Sequence, residues 1–339
     1  LGITASTSAT AGSPQGTYDI TLNAESANKN YDYTLNNGTL TITAKAIDAS
    51  NITVVGVPTE VTYNGAQQKP EDGITVKLGE TALTKGTDYT LSYGENKNAG
   101  TGTVTVKLTG NYSGEKTVEF TISPKDLTIT NLAVETRAYN GKTDATLTGT
   151  LTGVCDGDSF DIVFPAAKFD SKDVGTGKAV DVTDNFNITP KGDTLKSNYT
   201  LTQPKKTGLT GTITAIDPGT AIRTEVTVRY NDTSLWRAEV GASGIISGDK
   251  PMSGSITLAN SDDASKFAHE PTVKCEKGAV EFKLANGLPD QDASIVCKVE
   301  LNYGANYTKV VEFDFTINLT RRQPQSELGY SGTTSMTYG

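Results

Sequence analysis

The chain has 339 residues, of which 35% are hydrophobic, 7% aromatic and 20% charged. That length is too great for one ordinary core, and the lean apolar content favours several small domains. The formal net charge of -9 argues against nucleic acid or anionic membrane as a partner, because both reward clustered Lys and Arg. We expect no membrane insertion, since no run approaches the roughly 18 apolar residues of a membrane span.

Residues 1–47 contain the phrase NYDYTLNNGTLTITAK, in which an Asn-Tyr pair precedes a Gly turn and an alternating strand. The pair returns at Asn111, Asn198 and Asn306, each time ahead of a strand that closes on Thr-Ile. The copies lie about 80 to 110 residues apart, which is domain-sized. The spacing therefore predicts a chain of modules that each bury a core of their own.

Residues 48–122 form the clearest predicted module, with short segments that alternate apolar and polar residues. In KTVEFTI, Val118, Phe120 and Ile122 are predicted to face the core, and the residues between them to face water. A strand with one buried and one solvent-exposed face is typical of an antiparallel sheet. The Gly and Asn residues between the segments suit the turns of such a sheet. The pattern leaves little room for helix.

Residues 123–216 and 217–320 repeat this plan and are predicted as two further modules. One helix of one or two turns is predicted in SDDASKFA, with Ser261 as its N-cap. Residues 321–339 are predicted as a polar tail or the start of a next module.

A Tyr in a turn marks the front of several modules, at Tyr63-Asn64-Gly65, at Tyr139-Asn140-Gly141 and, more weakly, at Tyr230-Asn231-Asp232. Asn-Gly suits the positive φ angles of such turns. Residues 1–47 have no front of this kind, so they are interpreted as the second half of a module.

Together, the two signatures resemble the extracellular repeats of bacterial surface adhesins over most of residues 1–216. Residues 1–47 look like the second half of an MBG-type module. Residues 123–216 look like a YDG-type module whose opening Tyr-Asp-Gly is Tyr139-Asn140-Gly141 in this chain. Residues 48–122 resemble the Tyr-rich repeats of surface proteins, while residues 217–320 show only an Ig-like pattern.

The resemblance implies an all-β fold of tandem small antiparallel modules, Ig-like or β-grasp-like, in an elongated array. It also implies a secreted, non-enzymatic stalk segment of a surface adhesin. Other parts of the full-length protein would bind any host or matrix glycan or protein. Two alternatives stay open: a carbohydrate- or mucin-binding module, and a filament or surface-layer subunit completed head to tail by strand exchange between chains.

Residues with chemical potential are few, and no catalytic, metal or cofactor site is predicted. His269, the only His, stands beside Glu270 without a recognisable nucleophile motif. The acids of CDGDSFD, residues 155–161, do not follow the calcium-loop pattern, and a Gly-Asp turn explains them better.

Three further residues are candidate sites. Cys275 and Cys297 share one module, and a bridge between them would close a loop of about 23 residues and add roughly 3 kcal/mol. Two buried thiols are the alternative. Trp236, the only Trp, is predicted either to contact a ligand by stacking on a sugar ring or to fill a core between two sheets.

Overall fold

The computed structural model describes residues 2–24, 34–229, 232–289 and 291–321. Within these residues the regular structure is β-strand apart from a few short 3-10 helices, which confirms the predicted all-β fold class of small modules. No helix in this part of the chain is long and apolar enough to cross a membrane.

The chain divides into two compact units, and the division does not follow the predicted modules. The first unit holds Leu1–Thr130, Thr150–Phe164 and Asn185–Pro204, and the second holds Asn131–Gly149, Pro165–Asp184 and Lys205–Gly339. The chain therefore passes between the units several times inside residues 123–216. The module boundaries at 47/48, 122/123, 216/217 and 320/321 stay predictions.

The first sheet is three-stranded and antiparallel, in the order β1-β2-β3, and a short fourth strand follows it. The strands are β1 (Ile3–Thr7), β2 (Gly16–Ala24), β3 (Gly38–Ile42) and β4 (Lys45–Ala46). Every side chain on these four strands is exposed or half-buried. This part of the first segment therefore lacks the separate core that we predicted for each module.

Residues 48–122 pair into a four-stranded sheet, β6-β12-β10-β9, and a three-stranded sheet, β5-β7-β8. After a 3-10 helix at Ala49–Asn51, the strands are β5 (Ile52–Val55), β6 (Glu60–Thr62), β7 (Thr75–Leu78), β8 (Thr81–Ala82), β9 (Tyr89–Tyr93), β10 (Gly100–Leu108), β11 (Tyr112–Ser113) and β12 (Glu115–Ser123). The predicted alternation of KTVEFTI is confirmed, because Phe120 and Ile122 are buried and Val118 is half-buried, while Thr117 and Glu119 are exposed.

Residues 123–216 contribute a five-stranded sheet, β14-β22-β19-β18-β15, a parallel pair of β13 with β21, and an antiparallel pair of β17 with β20. A 3-10 helix at Lys196–Asn198 precedes β21. The strands are β13 (Lys125–Val134), β14 (Arg137–Ala138), β15 (Asp144–Ala145), β16 (Leu147–Thr152), β17 (Phe160–Val163), β18 (Ala167–Phe169), β19 (Gly175–Val182), β20 (Asn187–Pro190), β21 (Tyr199–Thr202) and β22 (Thr210–Thr214).

Residues 217–320 form two sheets, β23-β29-β28-β25 and β24-β27-β26. The strands are β23 (Glu225–Arg229), β24 (Leu235–Glu239), β25 (Ser253–Leu258), β26 (Phe267–Lys274), β27 (Ala279–Leu284), β28 (Ala293–Asn302) and β29 (Val311–Thr320), with a 3-10 helix at Cys275–Lys277.

The predicted helix is present as a 3-10 helix at Ser261–Lys266, but its predicted cap was wrong by one residue. Asn260 is the N-cap, because its side chain accepts a hydrogen bond from the Asp262 backbone N–H at 3.1 Å. Ser261 lies inside the helix.

The later segments contain parallel strand pairs, which the alternation of apolar and polar residues did not predict. In each of these segments the first or second strand runs parallel to the last strand, in the pairs β6 with β12, β14 with β22 and β23 with β29. The first two pairs end on the signature tyrosines. The Tyr63 N–H donates to the Ser123 carbonyl at 2.8 Å, and the Tyr139 N–H donates to the Thr214 carbonyl at 2.9 Å.

One hydrophobic cluster of the first unit crosses the predicted boundary at 122/123. Its buried members are Tyr63, Val104, Phe120, Ile122, Leu127, Cys155, Ile188 and Tyr199. A second cluster lies within residues 48–122 around Ile52, Val76 and Val106. Residues 48–122 therefore bury a core of their own, as predicted, and also share a second core with residues 123–216, which was not predicted.

Candidate functional site

The Tyr-Asn-Gly and Asn-Tyr signatures, which are far apart in the sequence, meet in two clusters of the same design. We name them the first joint and the second joint. The first joint, within the first unit, consists of Tyr63, Asp158, Asn198 and Tyr199. The second joint, within the second unit, consists of Tyr139, Asp249, Asn306 and Tyr307.

In the first joint one carboxylate oxygen accepts two tyrosine hydroxyls. Tyr63 and Tyr199 donate to Asp158 Oδ2 at 2.7 and 2.6 Å. Their rings, 3% and 6% exposed, meet edge to face with centroids 5.3 Å apart. The Tyr199 hydroxyl also accepts the Cys155 backbone N–H at 3.0 Å. The buried polar atoms thus satisfy one another inside the apolar cluster, as buried hydroxyls require.

A tight turn places Asp158 at this point. Its backbone N–H donates to the Cys155 carbonyl at 3.1 Å, and Gly157 takes a φ of 85°, a left-handed conformation that favours Gly. The Gly-Asp turn predicted for CDGDSFD is present. Asp161 points elsewhere and pairs with Lys191 at 2.6 Å.

The second joint repeats this arrangement. Tyr139 and Tyr307 both donate to Asp249 Oδ2 at 2.8 Å, with ring centroids 5.8 Å apart. The Ile246 N–H donates to the Tyr307 hydroxyl at 3.0 Å, and the Asp249 N–H closes the turn on the Ile246 carbonyl at 3.0 Å. Gly248 has a φ of 97°. Cys-Asp-Gly-Asp and Ile-Ser-Gly-Asp therefore build the same turn for the same purpose.

An asparagine side chain adds two further hydrogen bonds to each joint, one accepted by Oδ1 and one donated by Nδ2, and we name these bonds the latch. In the first, Asn198 Oδ1 accepts the Ala99 N–H at 2.8 Å, and its Nδ2 donates to Asn98 Oδ1 at 3.0 Å. In the second, Asn306 Oδ1 accepts the Val174 N–H at 2.9 Å, and its Nδ2 donates to Asp173 Oδ1 at 3.0 Å. The partners lie in matching stretches, Lys-Asn-Ala-Gly-Thr-Gly (97–102) and Lys-Asp-Val-Gly-Thr-Gly (172–177).

The glycine of each Tyr-Asn-Gly front allows the turn to approach. Gly65 and Gly141 have φ values of 84° and 74°. A Cβ on Gly65 would lie 3.1 Å from Cys155 Cβ, and a Cβ on Gly141 would lie 2.9 Å from Ile246 Cγ2. Positive φ and close packing together explain why Gly follows the Tyr-Asn pair.

A third Asn-Tyr pair makes the Oδ1 bond of a latch. Asn111 Oδ1 accepts the Gln15 N–H at 2.9 Å, and Gln15 precedes Gly-Thr, as Ala99 and Val174 do. Tyr112 packs beside the inner cluster of residues 48–122. All three tyrosines pair in parallel with the entering chain, as Lys45 with Tyr112, Lys125 with Tyr199 and Ile216 with Tyr307. The fourth pair, Asn30-Tyr31, lies outside the described residues.

Burial further favours the protonated form of the joint tyrosines. It raises the pKa of Tyr63 to about 12, with the hydrogen bond to Asp158 as a further cause, and it also raises the pKa of Tyr139, Tyr199 and Tyr307. All four hydroxyls are thus hydrogen-bond donors at neutral pH. The second joint also contains an ammonium group: Lys172 Nζ lies 2.9 Å from the Tyr139 hydroxyl and 3.9 Å from Asp249 Oδ1.

The sequence had singled out the tyrosines and asparagines of the joints without showing that they meet. It assigned Asp158 only to a turn and missed Asp249. The x-x-Gly-Asp pattern upstream of Asn198 and of Asn306, and the two Lys-x-x-Gly-Thr-Gly stretches, were the available signals. Tyr230 and Asn231 of the weaker front lie outside the described residues.

The predicted disulfide is not formed. All three cysteines of the chain are described, and each is a free thiol. Cys297 is buried in mid-strand on β28, with Leu258 and Phe315 as its neighbours across the sheet. Cys275 begins a 3-10 helix at the end of β26, in the other sheet. The shared module therefore does not place the two thiols on adjacent strands of one sheet.

The remaining candidates lie apart from the joints. Trp236 is half-buried on β24 opposite Phe282, and its role as a ligand contact stays a prediction. His269 is exposed on β26 opposite Lys283. Among the described residues, no group of three or more His, Cys, Asp or Glu side chains is arranged to hold a metal ion. Shallow recesses of about 320 and 550 Å³ lie on β25 and its neighbours.

Comparisons with known families confirm the resemblance drawn from the signatures. Residues 123–208 match the YDG domain, and residues 1–41 match the MBG domain (YGX type). Both are adhesin-type surface repeat modules. The chain thus contains adhesin-type surface repeat modules in residues 1–41 and 123–208. No curated protein sequence matches it.

Solved structures resemble the chain only weakly. The human desmocollin-1 ectodomain matches at 13% identity and a TM-score of 0.29, covering 92% of this chain and 66% of its own length. The Escherichia coli adhesin FdeC matches at 13% identity and a TM-score of 0.19, and the match covers 80% of this chain and 99% of the FdeC chain. Scores of this size support no argument about function.

Proposed function

We propose that this chain is a non-enzymatic stalk segment of an exported bacterial surface adhesin, and that its joints hold successive modules in one fixed relation. The first joint carries the proposal. Tyr63 comes from residues 48–122, whereas Asp158 and Tyr199 come from residues 123–216, and all three lie in or beside one continuous hydrophobic cluster. Motion between domains is the default unless their interface is apolar and tightly packed, and this interface is both.

Three kinds of contact oppose bending at this joint. Bending would expose the ring of Tyr63, break its bond to Asp158, and break the bonds of Asn198 to residues 98 and 99. Hydrogen bonds to a charged group contribute about 1.5 to 3 kcal/mol each, and burial of an aromatic ring contributes a similar amount. Together these terms favour a stiff connection over a flexible one.

The polar groups at the joints also favour a structural role over a catalytic one. The Asp158 carboxylate, both tyrosine hydroxyls and the Asn198 amide bond to one another or to backbone. Groups committed in this way are not poised for a substrate. The YDG and MBG matches support display at the cell surface, with any glycan or protein target bound by other parts of the full-length protein.

Calorimetry of Asp158→Ala tests the proposal. The substitution leaves two buried hydroxyls without an acceptor, so we expect the transition of the first unit to move to lower temperature and to split. Asp161→Ala is the matched control, because Asp161 lies in the same segment and makes a solvent-exposed ion pair with Lys191. Equal effects of the two substitutions, with one unsplit transition in both, would contradict a stiff joint.

A second candidate function, a self-assembling filament or surface-layer subunit, is favoured by the first sheet alone. The side chains of Ile3 and Leu40 on that sheet are 51% and 37% exposed. Ile3 lies on β1 and Leu40 on β3, the two outer strands of this sheet among the described residues, and an apolar outer strand is a template for strand addition from a second copy of the chain. Sedimentation over a concentration series tests it: a mass that grows with concentration supports the filament, and a constant monomer mass contradicts it.

A further inference from the structure

Asn latches of the same geometry join segments that differ in family. The N–H donors are Gln15, in a segment that matches the MBG domain, Ala99, in a segment with neither match, and Val174, in a segment that matches the YDG domain. In each case the amide oxygen of an Asn-Tyr pair accepts a backbone N–H that directly precedes Gly-Thr. Family membership therefore does not decide whether the latch forms.

We propose that the joints are a general docking code. A module that presents a Tyr-Asn-Gly front and an x-Gly-Thr loop accepts any following β module that presents an x-x-Gly-Asp turn and an Asn-Tyr pair. The following module is thus recognised by its x-x-Gly-Asp turn and its Asn-Tyr pair, and not by its family. This inference concerns how modules recognise one another and does not depend on display at a cell surface.

The preceding module contributes mainly backbone groups to these contacts. The residues that donate to the latch are Gln, Ala and Val, which share only their N–H group. The front tyrosines are held the same way in both complete joints, because each N–H donates to the carbonyl that follows the closing Thr-Ile. A surface built in this way tolerates different side chains around it.

The docking face of the following module is fixed by geometry and not by sequence spacing. The bridging Asp lies 41 residues before its Tyr in the first joint and 58 residues before it in the second. Even so, each Asp accepts both hydroxyls at between 2.6 and 2.8 Å, and each Tyr accepts the N–H three residues before the Asp at 3.0 Å. Connections of two different lengths thus place the Asp carboxylate, the Tyr hydroxyl and the N–H three residues before the Asp in the same arrangement.

The code also excludes wrong partners. A module without the front tyrosine would leave the Asp with one donor fewer in an apolar setting, which is unfavourable. A residue larger than Gly after the Tyr-Asn pair would collide with the turn, as the Gly65 and Gly141 contacts show. Specificity therefore comes from both attraction and clash.

Exchanging the two latch loops in the intact chain tests the code without removing any module. One variant carries Asn98→Asp and Ala99→Val together with Asp173→Asn and Val174→Ala, so that each joint has the loop of the other. We expect the melting midpoints of both units to stay within about two degrees of the parent. The matched controls are Asn198→Ala and Asn306→Ala, which remove the latch amide and should lower the midpoint of their own unit by several degrees.

A deletion gives the stronger test. Removing residues 123–213 joins Ile122 directly to Thr214, so that residues 48–122 precede residues 217–320. We expect Tyr63, Asp249 and Tyr307 to form a hybrid joint. Asp249→Asn in the deletion chain should then lower the midpoint by as much as it does in the parent chain. A deletion chain that folds but does not respond to Asp249→Asn would overturn the proposal, as would a loop exchange that destabilises like the Asn→Ala controls.

Discussion

The two joints share one geometry but differ in their charge. The first joint pairs Asp158 with uncharged partners, and its latch ends on Asn98. The second joint adds Lys172 and replaces Asn98 by Asp173 in the matching loop. Lys172 lies 5.3 Å from the centroid of the Tyr139 ring, in addition to its contacts with the hydroxyl and Asp249. The same docking geometry is thus compatible with an apolar and with an ionic environment.

The difference lies in charge and not in the burial of the tyrosines, which are 3% and 6% exposed in the first joint and 2% and 6% exposed in the second. A fully buried ion pair would have to be desolvated, which often costs as much as the pair contributes. In the second joint the side chains of Asp249 and Lys172 are 22% and 44% exposed, so solvent can share the charge. We therefore expect the second joint to be the more sensitive to salt and acid.

Loss of one hydroxyl should have the largest effect, and one of similar size in the two joints. Tyr199→Phe removes a donor to Asp158 and the acceptor of the Cys155 N–H, so we expect a loss of roughly 2 to 4 kcal/mol in the free energy of unfolding of the first unit. Tyr307→Phe breaks the equivalent bonds, and because Tyr307 is 6% exposed, as Tyr199 is, we expect a similar loss in the second unit. Urea titration of both variants measures the two values. A loss in one unit without a loss in the other would show that the shared geometry does not give the joints equal strength.

Neutralising one lysine should affect only the second joint. Lys172→Met removes an ammonium that bonds to Tyr139 and lies over its ring, and we expect a loss of about 1 kcal/mol that shrinks in high salt. Lys97→Met is the matched control, because Lys97 holds the same place in the first loop and is exposed. Chemical denaturation at low and high ionic strength gives the comparison. A loss of similar size for Lys97→Met would contradict the assignment of the ionic contact to the second joint.

Strand patterns were the part of the structure that one sequence could predict. Phe120 and Ile122, like Phe315 and Ile317, face inward as the period-two pattern indicated, because side-chain alternation is a local property of a strand. The parallel pairs β6 with β12 and β14 with β22 were not predictable from alternation, which is the same in parallel and antiparallel pairs.

The sequence identified some residues of each joint but not the contacts between them. Tyr63 and Tyr199 belong to recognisable signatures, but nothing local shows that residues 136 positions apart share one carboxylate. The cluster around Phe120 was missed for the same reason, since a core that crosses a boundary leaves no trace in the repeat spacing. Asp249 was overlooked because Ser-Gly-Asp is an ordinary turn sequence whose role depends on distant partners.

Acid should weaken the second joint before the first. The hydrogen bond from Asn306 and the nearby Lys172 hold the pKa of Asp173 below its usual range. A carboxyl group with a lowered folded-state pKa adds stability above its unfolded pKa of about 4, and this stability is lost as the pH falls through the folded value. We expect a small loss in the second unit below about pH 4. Asp173→Asn should remove this dependence while keeping the latch acceptor. Thermal scans between roughly pH 2 and pH 6, the range in which carboxyl groups titrate, test it.

High pH should weaken both joints, because burial raises the pKa of the tyrosines in each of them. Because burial raises the pKa of Tyr63 to about 12, its contribution is complete below the unfolded pKa of about 10 and is lost as the pH rises through the folded value. Ultraviolet titration of tyrosinate should therefore show a late-ionising group in the parent chain that is absent from Tyr63→Phe. Ionisation of all tyrosines near their ordinary pKa would contradict a buried first joint.

The smallest expected effect uses a thiol as a reporter of joint opening. Cys155 and Ile246 occupy the same place in the two turns, and Cys155 is 7% exposed. A thiol reagent should label half-buried Cys275 quickly and Cys155 slowly, because Cys155 reacts only when the first joint opens. Asp158→Asn weakens that joint and should speed the labelling of Cys155 several-fold. Asp249→Asn alters only the second joint and should leave the rate unchanged, so acceleration by both substitutions would show that the two joints open together.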